Sequence, residues 1–475
     1  MGRVILQPAL SKYKVVWMSI KAIRKVLMIV IFSMFLWAVA GGLSVHATVA
    51  SFVGSNEPMH QARDNLGVAV VNGKIYAIGI EGGGSIEEYD PSTDTWTFKA
   101  PMPTPRFFFA TAVYQDKIYC IGGAIACCGS GFIVSGENEV YDPATNTWAT
   151  KEPLLTARAN LQANVVDGKI YAIGGTKGNV PSNITEVYDP ITDSWTTKAS
   201  MPVTYDCANY YTNKYVSSVV NNKIFMLSSG LTEIYDTDND SWSLRASPPP
   251  FGNALAGGAT TGVFAPQRIY VFTSENTGFD SRSSPVFKTQ IYDPQTDSWT
   301  ASSSPNARFG LAVAVLDDKL YLIGGHTVIP DKPPYLHLKF ISSSENTIYT
   351  PIGYGSIPPT ISVISPKNTT YESSNVSLAF TVNKPVSWIG YSLDGQANIT
   401  VTGNTTLTSL ASGLHNITVY AKDNSESMGV SDVITFSIPA ESFPIAPIAT
   451  VSGATVVIAM VGLFYHSRKH DGKKQ

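Results

Sequence analysis

An eight-residue pattern returns five times along this chain, and it limits the fold more than any other property of the sequence. Tyr89-Asp90-Pro91-Ser92-Thr93-Asp94-Thr95-Trp96 recurs with small changes from Tyr141 to Trp148, Tyr188 to Trp195, Tyr235 to Trp242 and Tyr292 to Trp299. The tryptophans are 52, 47, 47 and 57 residues apart. Ahead of each pattern lies an apolar run, from Lys74, Lys117, Lys169, Lys223 and Arg268, and a sixth run begins at Lys319. Six units follow from that count. A period near 50 residues means one supersecondary unit stacked on copies of itself, because a single unit cannot bury its own apolar faces.

Each unit reads as four short strands. An alternating segment enters a two-residue turn, Asn72-Gly73, Asp167-Gly168 or Asn221-Asn222, whose residues tolerate the positive φ of a tight hairpin. The Ile-Tyr strand follows and closes on Gly-Gly at 122–123, 174–175 and 324–325. After a variable loop comes the Glu-Val-Tyr strand. Asp-Pro then makes a turn, with proline presetting φ and aspartate accepting from backbone donors, and Trp begins the fourth strand. Four antiparallel strands repeated around an axis make a propeller. Only 15% of residues are charged, against roughly 25% in an ordinary soluble protein, with 38 Gly and 29 Pro, so disorder and a coiled coil are excluded.

The Gly-Gly doublet, the Tyr-Asp-Pro and the Trp at this period resemble kelch repeats over residues 48–355. That resemblance implies an all-β chain with a six-bladed kelch-type propeller. The chain departs from the pattern at Gly79-Ile80, at Ser228-Ser229-Gly230, at Thr273-Ser274 and at Ile348-Tyr349-Thr350-Pro351, where the sixth unit has neither Asp nor Trp. The sixth unit therefore lacks a fourth strand. Val53 to Pro58 stands before Arg63 with the spacing that Trp148 to Pro153 keeps before Arg158, so residues 51–58 are expected to supply it.

Short alternating segments from Thr360 to Ile438, with Asp394-Gly395 as a turn, carry sandwich patterning. Residues 356–440 resemble the Ig-like or fibronectin-like modules of prokaryotic, archaeal-type surface proteins, where they act as spacers.

The ends of the chain set its expected compartment. Residues 1–47 hold six Lys/Arg and no acid around an apolar run from Val26 to Val39, and read as a signal peptide or N-terminal anchor. Residues 445–465 are 21 mostly apolar, uncharged positions, enough to cross a hydrocarbon core of about 30 Å. The basic tail 466–475, with Arg468, Lys469, Lys473 and Lys474, belongs on the cytoplasmic side. A single-pass protein of the cell membrane, its bulk outside, is the expectation. Between the ends, Thr48 to Pro444 hold 23 basic and 35 acidic residues, a net of −12 and no footprint for nucleic acid. Acceptors for N-glycosylation stand at Asn183, Asn239, Asn368, Asn375, Asn398, Asn404 and Asn416, and the crowding of five between 368 and 416 suggests a glycan-coated stalk.

Function is expected at the propeller mouth, where the loops joining strands four to one and strands two to three meet. Arg63, Arg106, Arg158, Tyr205, Phe251 and Arg308 head the six inner strands. Four arginines and two aromatics there suit an extracellular glycan or protein ligand, through bidentate hydrogen bonding and stacking. An internal ladder, each Arg paired to Glu87, Glu139 or Glu186 of the repeat, is an equally open reading. Cys127 and Cys128 share that face with Cys207, so a bridge from Cys207 to either, a vicinal pair and free thiols are all open; Cys120 reads as a buried small residue. No catalytic residue, metal or cofactor is singled out. The layout resembles galactose oxidase, but His60, His326 and His337 offer no ligand spacing for copper, and sialidase boxes are absent. A membrane-anchored binding or adhesion protein is the first reading, and an extracellular carbohydrate-active enzyme of the epimerase or oxidase type the alternative.

Overall fold

The computed structural model describes residues 52–80, 83–126, 132–178, 180–204, 215–251, 253–274, 287–303, 308–330 and 338–440. The expected signal segment (1–47), membrane span (445–465) and tail (466–475) lie outside them. Among the described residues there is no helix, and therefore none long and apolar enough to cross a membrane. The chain is all-β.

Six antiparallel sheets fill the first three-quarters. The first runs through Gly67–Val71, Lys74–Ile80, Gly83–Asp90 and Thr95–Lys99, each strand pairing with the next. Sheets two to five repeat this order, beginning at Ala110, Gln162, Tyr215 and Asn253. The hairpins turn where the sequence places them: Asn72-Gly73, Asp167-Gly168 and Asn221-Asn222 all hold positive φ, as do Gln115-Asp116 and Asp317-Asp318. In sheet two every residue of the second strand after Lys117 is buried, because the strand is covered on both faces by neighbouring sheets.

Sheet six is completed from the far end of the chain. Phe52–Asn56 pairs antiparallel with Asn346–Tyr349, which pairs with Lys319–Pro330 and so with Phe309–Leu316. The segment expected to supply the missing strand does so. Residues beyond it repeat the joints between sheets: Gly325 N donates to Arg63 O (2.7 Å) as Gly123 N donates to Arg158 O (2.8 Å). A Cβ on Gly324 would stand 2.5 Å from Arg63 O and one on Gly122 2.6 Å from Arg158 O, which is why both positions need glycine. Apolar clusters join each sheet to the next, and one joins Ala312, Ala314 and Ile323 of sheet six to Leu66, Ile75 and Ala77 at sheet one.

The repeated pattern is a staple between sheets. In sheets one to five the Tyr hydroxyl donates to Asp94, Asn146, Asp193, Asp240 or Asp297 (2.5 to 2.7 Å). The same side-chain oxygen accepts a backbone N–H from Glu57, Ala100, Glu152, Ala199 or Ala246 of the neighbouring segment (2.8 to 3.0 Å). The Trp indole then donates to the carbonyl of that neighbour (2.8 to 2.9 Å). Each joint thus gains two hydrogen bonds, about 1 kcal/mol apiece. The joint of sheet five with sheet six lacks the motif and uses another device. Asp318, in the hairpin turn of sheet six, accepts from the backbone N–H groups of Thr261, Val263, Phe264 and Ala265.

Past Tyr349 the chain runs through Gly353 and Gly355 into two sheets that share one core. Ile361–Ser365, Val376–Val382 and Thr405–Leu407 form one; Ile399–Val401, Trp388–Leu393 and Gly413–Lys422 form the other, extended by Met428–Val430 and Ile434–Ile438. Leu378 and Leu407 from the first pack with Ile417, Val419 and Phe436 from the second. At the junction Phe264 stacks on Tyr354, Gly355 N donates to Phe264 O (2.6 Å), and the Lys384 ammonium lies over the Phe264 ring while bonded to Asp423 (2.7 Å).

Candidate functional site

The two sets of loops do meet on one face. Phe107 and Ala124 exchange backbone hydrogen bonds (3.1 and 2.8 Å), as do Ala159 and Thr176 (3.0 and 2.7 Å), and Arg63 N donates to Ser343 O (3.0 Å). Each bond ties the segment before an inner strand to the hairpin after the second strand. Three such hairpins rise here: Ala124–Ala126 with Phe132–Val134, Thr176–Lys177 with Val180–Pro181, and the far half of Lys319–Pro330 with Leu338–Ser342.

The four arginines stand at this face but do not open onto it. Arg63, Arg106, Arg158 and Arg308 are at most 4% exposed. Arg106 shows the arrangement: Nη1 donates to Glu139 (2.6 Å), Nε to Gly122 O (2.9 Å) and Nη2 to Cys120 O (3.0 Å). Arg63 reaches Glu87 (2.8 Å) and Ser85 O (2.7 Å), Arg158 stands 3.1 Å from Glu186, and Arg308 reaches Glu345 (2.5 Å) and Gly324 O (2.6 Å). Of the two sequence readings, the internal ladder is the geometry present, with each guanidinium turned to a carboxylate of its own sheet. Burial lowers the pKa of Arg63, Arg158 and Arg308, with their carboxylates opposing it. Burial would raise Glu87, but the hydrogen bonds from Arg63 and His60 outweigh it and hold Glu87 below the usual carboxylate range.

Phe251 is buried too, at the head of sheet five, and packs with Val216, Phe225 and Val271. Opposite it the repeat's glutamate has become Gln290, buried at 3% exposure. The exchange stands out in the alignment beside Glu87, Glu139 and Glu186, whereas sheet four keeps a fully buried Glu233 although Tyr205, not an arginine, heads its unit. Tyr205, Cys127, Cys128 and Cys207 lie outside the described residues. Cys120 is buried, and burial pushes its thiol up to about 12, so it is a packed apolar residue and a poor nucleophile.

What lines an open cavity lies two residues past each arginine. Asn65, Phe108, Asn160 and Gly310 all hold positive φ, from 50° to 61°. Asn65 N donates to Gly310 O and Asn160 N to Phe108 O, both at 2.8 Å, linking neighbouring sheets around the axis. With Gln162 and Leu311 these residues line a cavity of about 60 Å3. Asn160 is 94% buried by its 6% exposure, and neither polar atom of its side chain has a protein partner among the described residues. The cavity offers amides and no charge, which suits a water or a neutral hydrogen-bonding group. Sequence reasoning passed over these positions; the signal was an Asn, Phe or Gly at a fixed offset from Arg. Beside them His326 Nδ1 lies 2.9 Å from Asp64, with its ring stacked on Phe309. Among the described residues no group of three or more His, Cys, Asp or Glu is placed to hold a metal ion.

Each of the three hairpins also exposes an aliphatic side chain. Ile133, Val180 and Ile341 are 59%, 66% and 41% exposed, and Leu155 and Val203, in the segments before inner strands, are open as well.

Comparison with known proteins agrees with the repeat. Residues 157–202 match the Kelch motif family. Human Kelch-like protein 28 is 37% identical over 97 residues, 20% of this chain and 17% of that protein. Beta-scruin of Limulus polyphemus is 34% identical over 124 residues, covering 25% and 14%, and the influenza virus NS1A-binding protein homolog of Xenopus laevis 49% over 71 residues, covering 14% and 11%. The chain spans less than a fifth of the length of each of these relatives. The solved structure of YjhT aligns with a TM-score of 0.49 and 15% identity, over 60% of this chain and 99% of that one. Set on the repeated sheets described above, the motif and these relatives support a kelch-repeat protein.

Proposed function

We propose that this chain is a single-pass, membrane-anchored protein of the cell surface whose sheets form a closed six-bladed propeller, and that the hairpin face of that propeller binds a protein ligand. The observation that carries the reading is the set of three hairpins, each lifting one aliphatic side chain into solvent around a small polar cavity. Exposed aliphatic side chains on these hairpins, beside a polar cavity, fit a protein partner. A charged glycan fits less well, because the arginines that would have held it are committed to Glu87, Glu139, Glu186 and Glu345. Similarity to kelch-repeat relatives, one of them named for binding NS1A, supports a protein partner too. The two-sheet region resembles an Ig-like spacer, which would hold the propeller away from the anchor expected at 445–465. The test is binding of the folded chain to surface proteins and to glycans, beside the Ile133→Asp, Val180→Asp variant. Loss of protein binding with an unchanged Tm is the expected result; unchanged binding by that variant, or glycan binding alone, overturns it.

A further inference from the structure

The seven Asn-X-Ser/Thr acceptors are alike in sequence and unlike in structure. A glycan is joined through the amide nitrogen, so that atom must be accessible and free of other bonds. In the propeller sheets it is bonded at both positions, and at Asn183 half-buried as well. Asn183 is half-buried, its Nδ2 donates to Met201 O (3.0 Å), and the Thr185 that completes its sequon is fully buried. Asn239 lies in the outer turn of sheet four, where its Nδ2 donates to Asp236 Oδ2 (3.1 Å). A carbonyl and a carboxylate only accept, so in both amides the nitrogen is the atom engaged with the protein.

The five in the two-sheet region are exposed, and their amide nitrogens make no hydrogen bond among the described residues. In three of them the opposite atom is the one engaged. Asn375 Oδ1 accepts from Ser409 N (3.0 Å), Asn404 Oδ1 from Phe380 N (2.9 Å) and Asn416 Oδ1 from Thr435 Oγ1 (2.9 Å). A backbone N–H only donates, so at Asn375 and Asn404 the oxygen faces the protein and the nitrogen faces water. Four of the five also share one end of the region. Asn375 precedes Val376–Val382, whose other end joins the linker through Asn383 N and Thr360 O. Asn416 N donates to Asp394 at the far turn, close to Asn398, and Ile438 leaves the sheet there opposite Gly413. Asn368 lies in the loop between Ile361–Ser365 and Val376–Val382 at that same end.

We infer that N-linked glycan is carried only by Asn368, Asn375, Asn398, Asn404 and Asn416, as a collar on the two-sheet region, while Asn183 and Asn239 stay bare. The collar crowds the end where the chain passes on to 441–475. The inference rests on the surface location proposed above for its biological setting, but its chemistry does not. In the transfer, Nδ2 bonds to the anomeric carbon of an activated sugar phosphate. The sugar–oxygen bond breaks, the phosphate leaves with the bonding pair, and the amide proton passes to base.

The experiment uses the folded full chain, a soluble asparagine glucosyltransferase and UDP-glucose, with peptide mapping against a heat-unfolded control. All seven sites should label in the unfolded chain. In the folded chain the five should label, with Asn183 and Asn239 at least about tenfold slower. Labelling of either propeller site at the rate of Asn375, or silence of the five in the folded chain, overturns the inference. A second arm maps glycopeptides on protein recovered from cells and tests its accessibility to external protease. Protection from protease there sinks the surface location, and the pattern on the folded chain still decides the collar.

Discussion

Sheets two and six solve the same mechanical problem with different residues. Sheet two has the full repeat: Arg106 inside against Glu139, Trp148 and Asn146 outside against Ala100, and four strands in sequence order. Sheet six keeps Arg308 but pairs it with a largely exposed Glu345, has no Trp or Asp after Tyr349, and borrows a strand from the start of the described chain. Asp318 with four backbone donors stands in for the lost motif. The comparison teaches that the repeat specifies joints, and that a joint can be rebuilt from unrelated residues when a buried donor or acceptor is satisfied another way.

The sharpest way to break the comparison is to remove the borrowed strand. Deleting residues 52–58 leaves Asn346–Tyr349 as an open edge, strips Trp96 of its acceptor at Glu57, and should cost on the order of 5 kcal/mol, the scale of a small domain's whole stability. Chemical denaturation checks it, and an unchanged midpoint would mean sheet six holds without the strand.

Sheet five tests the ladder from the other side. Gln290→Glu places a carboxylate at a buried position of sheet five that no guanidinium contacts among the described residues, at an expected cost of about 3 kcal/mol above neutral pH. Because the buried carboxyl would hold its proton more tightly than the unfolded one, that cost should fade as pH drops toward 5. Adding Phe251→Arg should recover part of the loss, whereas additive losses in the double variant would show that sheet five cannot accept the pair. Smaller again is the outer staple: Trp195→Phe removes the bond to Glu152 O and should cost about 1 kcal/mol.

The smallest effect separates the two-sheet region from the propeller. His415 donates Nε2–H to Ala411 O and Nδ1–H to Asp394, and those two bonds raise its pKa above 6.5 against the opposing pull of burial. A raised folded pKa contributes stability that is complete below the unfolded value and disappears as pH climbs through the folded one. The melting transition of this region should therefore fall slightly between pH 6 and about 8, and His415→Gln should flatten that slope; equal slopes in both proteins would remove His415 from the account.

Much of this architecture was legible because repeats report on themselves. Tyr-Asp-Pro and Trp marked the outer strands, the Asn-Gly and Asp-Gly pairs marked hairpins, and the spacing before Arg63 located the borrowed strand. The role of the arginines was not legible from the same register. A residue heading an inner strand can turn its side chain to the axis or back under its own sheet, and the sequence places the Cα alike in both cases. The decision lies in three dimensions, where Cys120, Ala172 and Leu322 present carbonyls to the guanidiniums of Arg106, Arg158 and Arg308. Asp318 was equally hidden, since a hairpin aspartate says nothing of a loop more than fifty residues away.

The account stands most directly on the claim that the arginines brace the sheets and that exposed aliphatic residues of the hairpins do the binding. One denaturation curve for Arg106→Ala, read beside its binding isotherm, tests it. Removing the guanidinium leaves Glu139 buried without its partner and frees the carbonyls of Gly122 and Cys120, so a loss of about 3 to 5 kcal/mol is predicted, with binding by the surviving folded fraction unchanged. A stability change within about 0.5 kcal/mol, the ordinary range for a surface substitution, together with weakened binding would contradict it and return the arginines to the ligand site.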